Sequence, residues 1–161
     1  MMQAHSERAM SRHGPTPAGE LGSSLVELAL VMPLFTLMLL GAAELGWLAY
    51  DSVEVSNAAY AGAIYGAQDH TTAMDTTNMK AAAIKDGANV VGMTATAVTS
   101  CACSSGTTIT CANAAANCAA PARIFEMVQV NTTATLHPVI RVAALPVFFT
   151  LHGQAILRVE R

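Results

Sequence analysis

The chain of 161 residues is apolar and carries little charge: 53% of its residues are hydrophobic, 12% are charged, and its mean hydropathy is +0.42. Intrinsic disorder is excluded, because disordered chains combine low hydrophobicity with high net charge. The formal net charge of -3 and the 8 scattered Lys and Arg residues argue against nucleic-acid binding, which needs clustered basic side chains. The length allows one domain of about 100 residues plus an extended segment, and it is too short for a two-domain cofactor enzyme.

An uncharged stretch near the N-terminus predicts a membrane-spanning helix. Residues 28–43 contain no charged side chain, and the apolar character continues to Tyr50. A helix over 28–50 would be roughly 34 Å long and would cross a hydrocarbon core of about 30 Å. Arg8 and Arg12 precede this segment, whereas no Lys or Arg follows it before Lys80. The positive-inside rule therefore predicts a single-pass inner-membrane protein with a cytoplasmic N-terminus and its C-terminal part on the periplasmic or extracellular side.

The beginning of this segment carries a small residue followed five positions later by an acid, in the sequence GSSLVE at residues 22–27. This pattern resembles the type IV prepilin processing site, which implies that a prepilin peptidase cuts between Gly22 and Ser23. The continuation has Pro33 early in the apolar span and a second acid, Glu44, in GAAELG. It is similar to the TadE-like pseudopilins of tight-adherence (Flp) pili over residues 20–68, with a further likeness to the family's closing strand at 155–160.

Glu27 has a physical requirement of its own, because a carboxylate in a membrane helix costs up to a few kcal/mol unless it is paired or protonated. A newly freed amine on Ser23 would supply a partner. The resemblance implies that Glu27 of one subunit pairs with the N-terminal amine of a neighbour while the apolar helices pack together. Alternatively, Glu27 is an interfacial acid at the first helical turn, where the helix dipole favours negative charge. Glu44 is either a solvated interfacial acid or a helix-packing contact, and Pro33 predicts a kink that neighbouring helices can accommodate.

A conventional signal peptide is the competing interpretation of the N-terminus. Residues 28–40 would form its apolar region and Gly41-Ala42-Ala43 its small-residue cleavage site, which would release a soluble domain beginning at Glu44. This alternative explains neither the spacing from Gly22 to the acid nor the long helical continuation. A lipoprotein is excluded because the first cysteine is Cys101.

The sequence divides into a cytoplasmic leader (1–22), a transmembrane and extended pilin-like helix (23–68) and an outer α+β domain (69–161). Small residues along 52–68 include Gly62 and Gly66, which permit close approach either to a sister helix or to the chain's own sheet. A second helix is expected from Thr77 or Asn78 to Val91. Thr, Val and Ile runs predict strands at 93–100, 123–135 and 154–160, in a three-stranded antiparallel sheet. Residues 138–149 are expected to form a loop with a short helical or membrane-apposed piece.

All four cysteines fall in the connection between the first two predicted strands, at Cys101, Cys103, Cys111 and Cys118. In an oxidising compartment they predict two disulfides that hold a hairpin loop, and four cysteines allow three pairings. A direct bond between the first two is disfavoured, because so short a loop is strained. A zinc site is a weaker alternative, since the usual C-x2-C pairs are absent.

No catalytic pattern is present in the sequence. The histidines and carboxylates lack the spacings of metal or hydrolytic sites, and neither a phosphate-binding glycine loop nor a nucleophile elbow occurs. We therefore expect a non-enzymatic protein without cofactor or metal. The resemblance implies a minor pilin-like structural protein that acts in pilus assembly or a related secretion system. Its implied partners are a prepilin peptidase, other pilin or pseudopilin subunits, the pilus secretion platform and membrane lipid. The alternative is an envelope-anchored or secreted disulfide-bonded binding module, with its signal sequence cut after Ala43.

Overall fold

The computed structural model describes residues 18–118, 122–138 and 146–160, with side chains from Ser24 onward. The chain divides into two compact units, residues 1–41 and 42–161, and each is described by itself. The main elements in chain order are the helices α1 (Ala18–Ala67), α2 (His70–Met74) and α3 (Thr76–Asp86), the strands β1 (Thr94–Cys103) and β2 (Thr108–Ile109), the short helix α4 (Ala114–Asn117), and the strands β3 (Ile124–Leu136) and β4 (Phe149–Arg158).

The chain leaves α1 through two consecutive capped turns. Asp69 Oδ1 accepts from the backbone N–H of Thr72 at 2.8 Å, and Thr72 Oγ1 accepts from the backbone N–H of Asp69 at 3.0 Å, which is a capping box for α2. Asp75 then caps α3 by accepting from the backbone N–H of Asn78 at 3.0 Å. These amide hydrogen bonds lower the pKa of both carboxyl groups below their ordinary value of 3.8.

The four strands form one antiparallel sheet in the order β2-β1-β3-β4. β3 is the central strand, and it pairs over ten positions with β1 and over ten with β4. One cross-strand row joins Val98 of β1, Gln129 of β3 and Ile156 of β4. Beyond β4 the backbone N–H of Glu160 donates to the carbonyl of Ala67 at 2.9 Å, so the last described residue is tied to the end of α1.

The core lies between the helices and one face of the sheet. Val128 and Val130 of β3 are fully buried against Met79 of α3 and Ala63 of α1. A second cluster joins Val55 and Ala58 of α1 to residues beyond α3 and to the end of β3. Since a β-strand alternates its side chains, the residues between Val128 and Val130 and their equivalents on β1 and β4 form the opposite face.

Gly62 and Gly66 of α1 allow close packing against other parts of the same chain. A Cβ on Gly62 would lie 2.8 Å from the carbonyl oxygen of Met79 and 3.1 Å from Cγ1 of Val130, and a Cβ on Gly66 would collide with Sδ of Met79. Both glycines are buried in the chain's own domain. Of the two interpretations of this glycine pair, the structure shows the one in which α1 packs on its own sheet and α3.

The predicted α+β class is confirmed, with a long apolar N-terminal helix, further helices, an antiparallel sheet and two disulfides. The expected three strands are joined by a fourth, β2, inside the cysteine-rich connection. The expected second helix is α3, which ends at Asp86 rather than Val91, and the additional short helix α2 precedes it because Asp69 caps a helical turn there. β4 runs from Phe149 to Arg158 rather than from Gln154, so Gly153 lies within the strand and does not precede it. Residues 139–145, most of the expected loop at 138–149, lie outside the described residues.

Candidate functional site: the exposed apolar helix

The first part of α1 presents apolar side chains on every side. All side chains from Ser24 to Ala43 are exposed, among them Leu30 at 76% and Phe35 at 54%. The helix from Ser24 to Ala67 is long and apolar enough to cross a membrane, and none of its most apolar window is buried. A helix that is hydrophobic all round is stable only in a membrane or against partner helices. This arrangement is consistent with a single-pass membrane protein.

Within the second unit, only one side of α1 is buried and the other side stays exposed. Glu44 and Leu48 are half-buried, and Asp51 and Val55 are buried, at the three- and four-residue steps of one helical face. From Asp51 to Ala67 this face packs on the sheet, while the opposite face stays open. The open side carries three large apolar residues: Val53 at 58% exposure, Tyr60 at 52% and Ile64 at 45%.

The residues of the predicted processing site lie in one continuous helical stretch. The backbone is helical at Gly22, Ser23 and Glu27, so the last two are four residues apart and one turn apart on one side of α1. Pro33 lies inside α1, and Thr36 Oγ1 donates to the carbonyl of Met32 at 2.8 Å, one turn back. This side-chain bond lies next to the backbone position where Pro33 supplies no N–H.

A groove runs between the open side of α1 and the outermost strand. Its volume is about 340 Å³, and it is lined by Tyr60, Ile64 and Ala67 of α1 and by Leu157 and neighbouring residues of β4. Beside Leu157 the groove is also lined by Arg158 and Glu160, and Gln68 follows α1 there, so its lining is partly apolar and partly polar. The sequence pattern gave no indication of this groove, because it depends on which strand α1 lies beside.

A polar cluster at the end of the sheet was also missed by sequence reasoning. His70 Nδ1 lies 2.8 Å from Glu126 Oε2, with the His70 side chain 77% exposed and that of Glu126 12% exposed. Glu126 Oε1 is buried and has no hydrogen-bond partner among the described residues. At the same end of the sheet, on its other face, the Arg158 guanidinium lies 3.8 Å from the centre of the Phe125 ring, a cation–π contact. His70 and Glu126 are 56 positions apart, so no local pattern signals their contact.

The four cysteines form two disulfides that fix the β1–β2 hairpin. Cys101 bonds to Cys111, and Cys103 bonds to Cys118. Gly106 makes the turn with a φ of 93°, in the left-handed region that favours glycine. The bonds therefore clamp the end of β1 to a loop that has little apolar core of its own. Among the described residues no group of three His, Cys, Asp or Glu side chains is placed to hold a metal ion.

Comparison with known proteins identifies the apolar helix as the defining part of the chain. The TadE-like protein family matches residues 22–63, which run from the predicted processing site to the buried part of α1. This match supports the TadE-like assignment that the resemblance of the N-terminal segment predicted. TadE-like proteins are a pilus-associated structural family that is not known as enzymatic, and the match suggests interaction with other pilus components. No curated protein and no solved structure matches the chain significantly.

Proposed function

We propose that this protein is a pseudopilin, a minor structural subunit that is cut between Gly22 and Ser23 by a prepilin peptidase and acts in assembly of a tight-adherence pilus or a related secretion fibre. The leader 1–22 would be cytoplasmic, residues 23–68 would form the transmembrane and pilin-like helix, and residues 69–161 would form the outer domain. The observation that carries the proposal is the family match over residues 22–63, on a helix whose side chains from Ser24 to Ala43 are all exposed.

Glu27 would set the axial register between subunits. Cleavage after Gly22 creates an ammonium group on Ser23, one helical turn or about 6 Å along the helix axis from Glu27. A carboxylate and an ammonium in a low-dielectric layer attract each other strongly, and each is costly when left alone. In a neighbouring subunit the pair can form only when the two helices are aligned. The pairing of Glu27 with a neighbour's amine would therefore select one alignment while the surrounding apolar side chains supply non-directional contact.

Mass spectrometry of the mature protein from membranes tests the processing step. A mature N-terminus at Ser23 supports the pseudopilin, and an intact leader indicates an ordinary membrane anchor. An N-terminus at Glu44, in a chain recovered from the medium, would overturn the proposal in favour of a released binding module. That alternative draws its support from the boundary between the two units, which lies at Gly41 and Ala42, next to the alternative cut.

Substitution of Glu27 tests the assembly step separately. The Glu27→Ala variant should insert in the membrane as the wild type does, because the change makes the helix more apolar, but pilus formation should be lost. Glu44→Ala is the matched control, since it removes the same group from the same helix at a position four turns or more away. Normal piliation in the Glu27→Ala strain, or equal loss in both strains, would contradict a pairing role for Glu27.

A further inference from the structure

The outer edge of β4 carries a row of backbone groups directed away from the sheet. The backbone N–H of Val159 donates to the carbonyl of Glu126 at 2.9 Å, which fixes the alternation along the strand. In an antiparallel ladder every second residue turns its N–H and C=O toward its neighbour. The odd-numbered residues of β4 therefore bond to β3, and the even-numbered ones from Thr150 to Arg158 turn outward. Among the described residues no backbone hydrogen bond reaches this edge.

The opposite edge of the sheet is open over most of β1. The backbone N–H of Cys103 donates to the carbonyl of Thr107 on the hairpin side, so the odd-numbered residues of β1 are the ones that face outward. β2 pairs only with Cys101 and Ala102. The backbone groups of Ala95, Ala97 and Thr99 are consequently left outward as well. In the described part of the chain, the sheet thus has two unpaired edges: one is formed by β4 and the other by most of β1.

Neither edge carries the features that usually prevent strands from pairing with other chains. Proteins protect exposed edges with Lys, Pro, bulges or very short strands. β1 and β4 have ten residues each, contain no Lys or Pro, and include one charged residue between them, Arg158 at the end of β4. Two long, neutral edges on one small sheet are a surface for strand addition.

The direction of α1 limits how two copies can meet. The carbonyl of Val55 lies beside Thr132 and Gly153, whereas the carbonyl of Ala67 accepts from Glu160, so α1 and β4 run in the same direction. β1 also runs in this direction, because β1 and β4 are both antiparallel to β3. Two copies held in one membrane, as the proposed function requires, share one orientation. Their edge strands must then pair in parallel.

We infer that β4 of one copy pairs in parallel with β1 of a second copy, so that one sheet continues from subunit to subunit. The pairing keeps the helices of both copies on one side, and the groove beside Tyr60 and Ile64 meets the helix-facing side of the neighbour's β1. On that side Thr99 lies beside Leu157 of the groove when Val98 and Ile156 share a row, and the apolar Ala97 and Ala95 lie farther along, beside Ala155 and Gly153. Pairing of β4 with another β4 in parallel would instead turn one sheet over and bring its outer face, which carries Gln154, to the helix side of the other copy.

Two exposed apolar side chains on the outer face of the sheet set the register. Val98 is 54% exposed and Ile156 is 49% exposed, and they stand at opposite edges of the row that passes through Gln129. The other outer-face neighbours in the adjacent row are polar, with Gln154 donating to Asn131 at 2.9 Å. A second copy placed without any shift along the strands brings Ile156 directly beside the neighbour's Val98. Aliphatic cross-strand pairs of this kind are favourable.

Because this interface uses two different edges, it is heterologous and does not close on itself in a pair. Successive copies would extend a row, whereas an isologous dimer would stop at two. The contact adds to the proposed packing of membrane helices and is made by other residues. Only its parallel direction depends on the proposed function.

Cross-linking of cysteine variants of the full chain tests the inference, since all four native cysteines are in disulfides. One population carries Ile156→Cys and the other Val98→Cys, and both are reconstituted together in lipid vesicles with a short thiol-specific cross-linker. We expect a cross-linked dimer in the mixture and its loss when either variant is used alone. Thr94→Cys is the matched control for Val98→Cys, because it lies on the same face of β1 four residues away and should give no product.

A backbone substitution separates edge pairing from side-chain contact. The N–H of Gln154 faces outward, so Gln154→Pro in the Ile156→Cys chain leaves the ladder to β3 intact and should abolish the cross-link, while Gln154→Ala should retain it. Protease resistance checks that each variant is folded. If the proline variant unfolds, competition replaces it as the test: an excess of wild-type chain should suppress the cross-link between Ile156→Cys and Val98→Cys. This experiment needs no proline at the edge.

The possible results separate this inference from the proposed function. A product from Ile156→Cys alone would show that β4 pairs with itself, and no product in any mixture would exclude edge pairing between copies; either result overturns the inference. The N-terminal mass and the Glu27→Ala phenotype report on the pseudopilin function independently. A cross-link in the mixture together with an uncleaved leader would retain the interface and reject the processing step.

Discussion

Gly153 lies where β4 passes directly under α1, and replacing it by alanine should destabilise the C-terminal unit. A Cβ at this position would collide with the carbonyl oxygen of Val55 and would lie 2.5 Å from Oγ1 of Thr132. Thr132 is 1% exposed, and its hydroxyl donates to the same carbonyl at 2.6 Å. The added methyl group therefore has backbone on one side and a buried hydrogen bond on the other. Neither can move without separating α1 from the sheet.

The expected cost follows from these two contacts. Overpacking a filled core costs about 1 to 3 kcal/mol. Loss of a buried hydrogen bond costs about 1 kcal/mol more. The two effects are not fully additive, because both involve the Val55 carbonyl. We expect Gly153→Ala to lower the free energy of unfolding by about 2 to 4 kcal/mol. With a urea dependence of about 1.5 kcal/mol per molar, the midpoint of unfolding falls by about 1 to 3 M.

Pulse proteolysis in urea, at constant detergent concentration, measures this midpoint on the full chain. Gly46→Ala is the matched control, because a Cβ at Gly46 meets nothing within 4 Å and alanine is the better helix former. Its midpoint should stay at the wild-type value or rise slightly. Equal midpoints for Gly153→Ala and the wild type would refute the close approach of α1 to β4, and with it the parallel direction assigned to these two elements.

Two further predictions concern the hairpin and the helix caps. Replacing Cys103 and Cys118 together by serine should lower stability by about 3 kcal/mol, since this bond closes a 15-residue separation; an unchanged urea midpoint would contradict it. The pKa values of Asp69 and Asp75 are lowered in the folded chain, so their stabilisation is complete above the ordinary value of 3.8 and is lost as the pH falls below it. Asp75→Asn should keep the cap while reducing the loss of stability as the pH falls below 3.8, measured by thermal unfolding; an acid response equal to that of the wild type would exclude Asp75 as a contributor.

Much of this fold could be predicted, because its signals are local in the sequence. The uncharged run from residue 28 onward predicts an exposed apolar helix, and the Thr- and Val-rich alternation predicts β1 and β3 within a few residues. The family match depends on the same segment, with the small residue and acid at 22–27. These features depend on composition and spacing alone, so they can be predicted without the structure.

The parts that escaped prediction depend on tertiary contact. β2 has two residues, and its Ile109 lies opposite Cys101, whose disulfide partner Cys111 is two residues farther along the chain. Gly153 reads as a strand breaker until α1 is seen to lie against it. The glycine pair in α1 leaves two partners possible, and only the position of Met79 decides between them. The short helix α2 is an exception, since the Asp and Thr of its capping box are three residues apart and could have been found.

The two sulfur bridges interleave along the chain, since the partner of the first cysteine comes before the partner of the second. Each covalent ring thus encloses one end of the other bridge. A nested arrangement, in which the outer two sulfurs join first, uses the same four atoms and must be opened by thiol exchange before the native one can form. A chain that first formed the nested bonds would therefore reach the native pairing only after a free thiolate had attacked one of them.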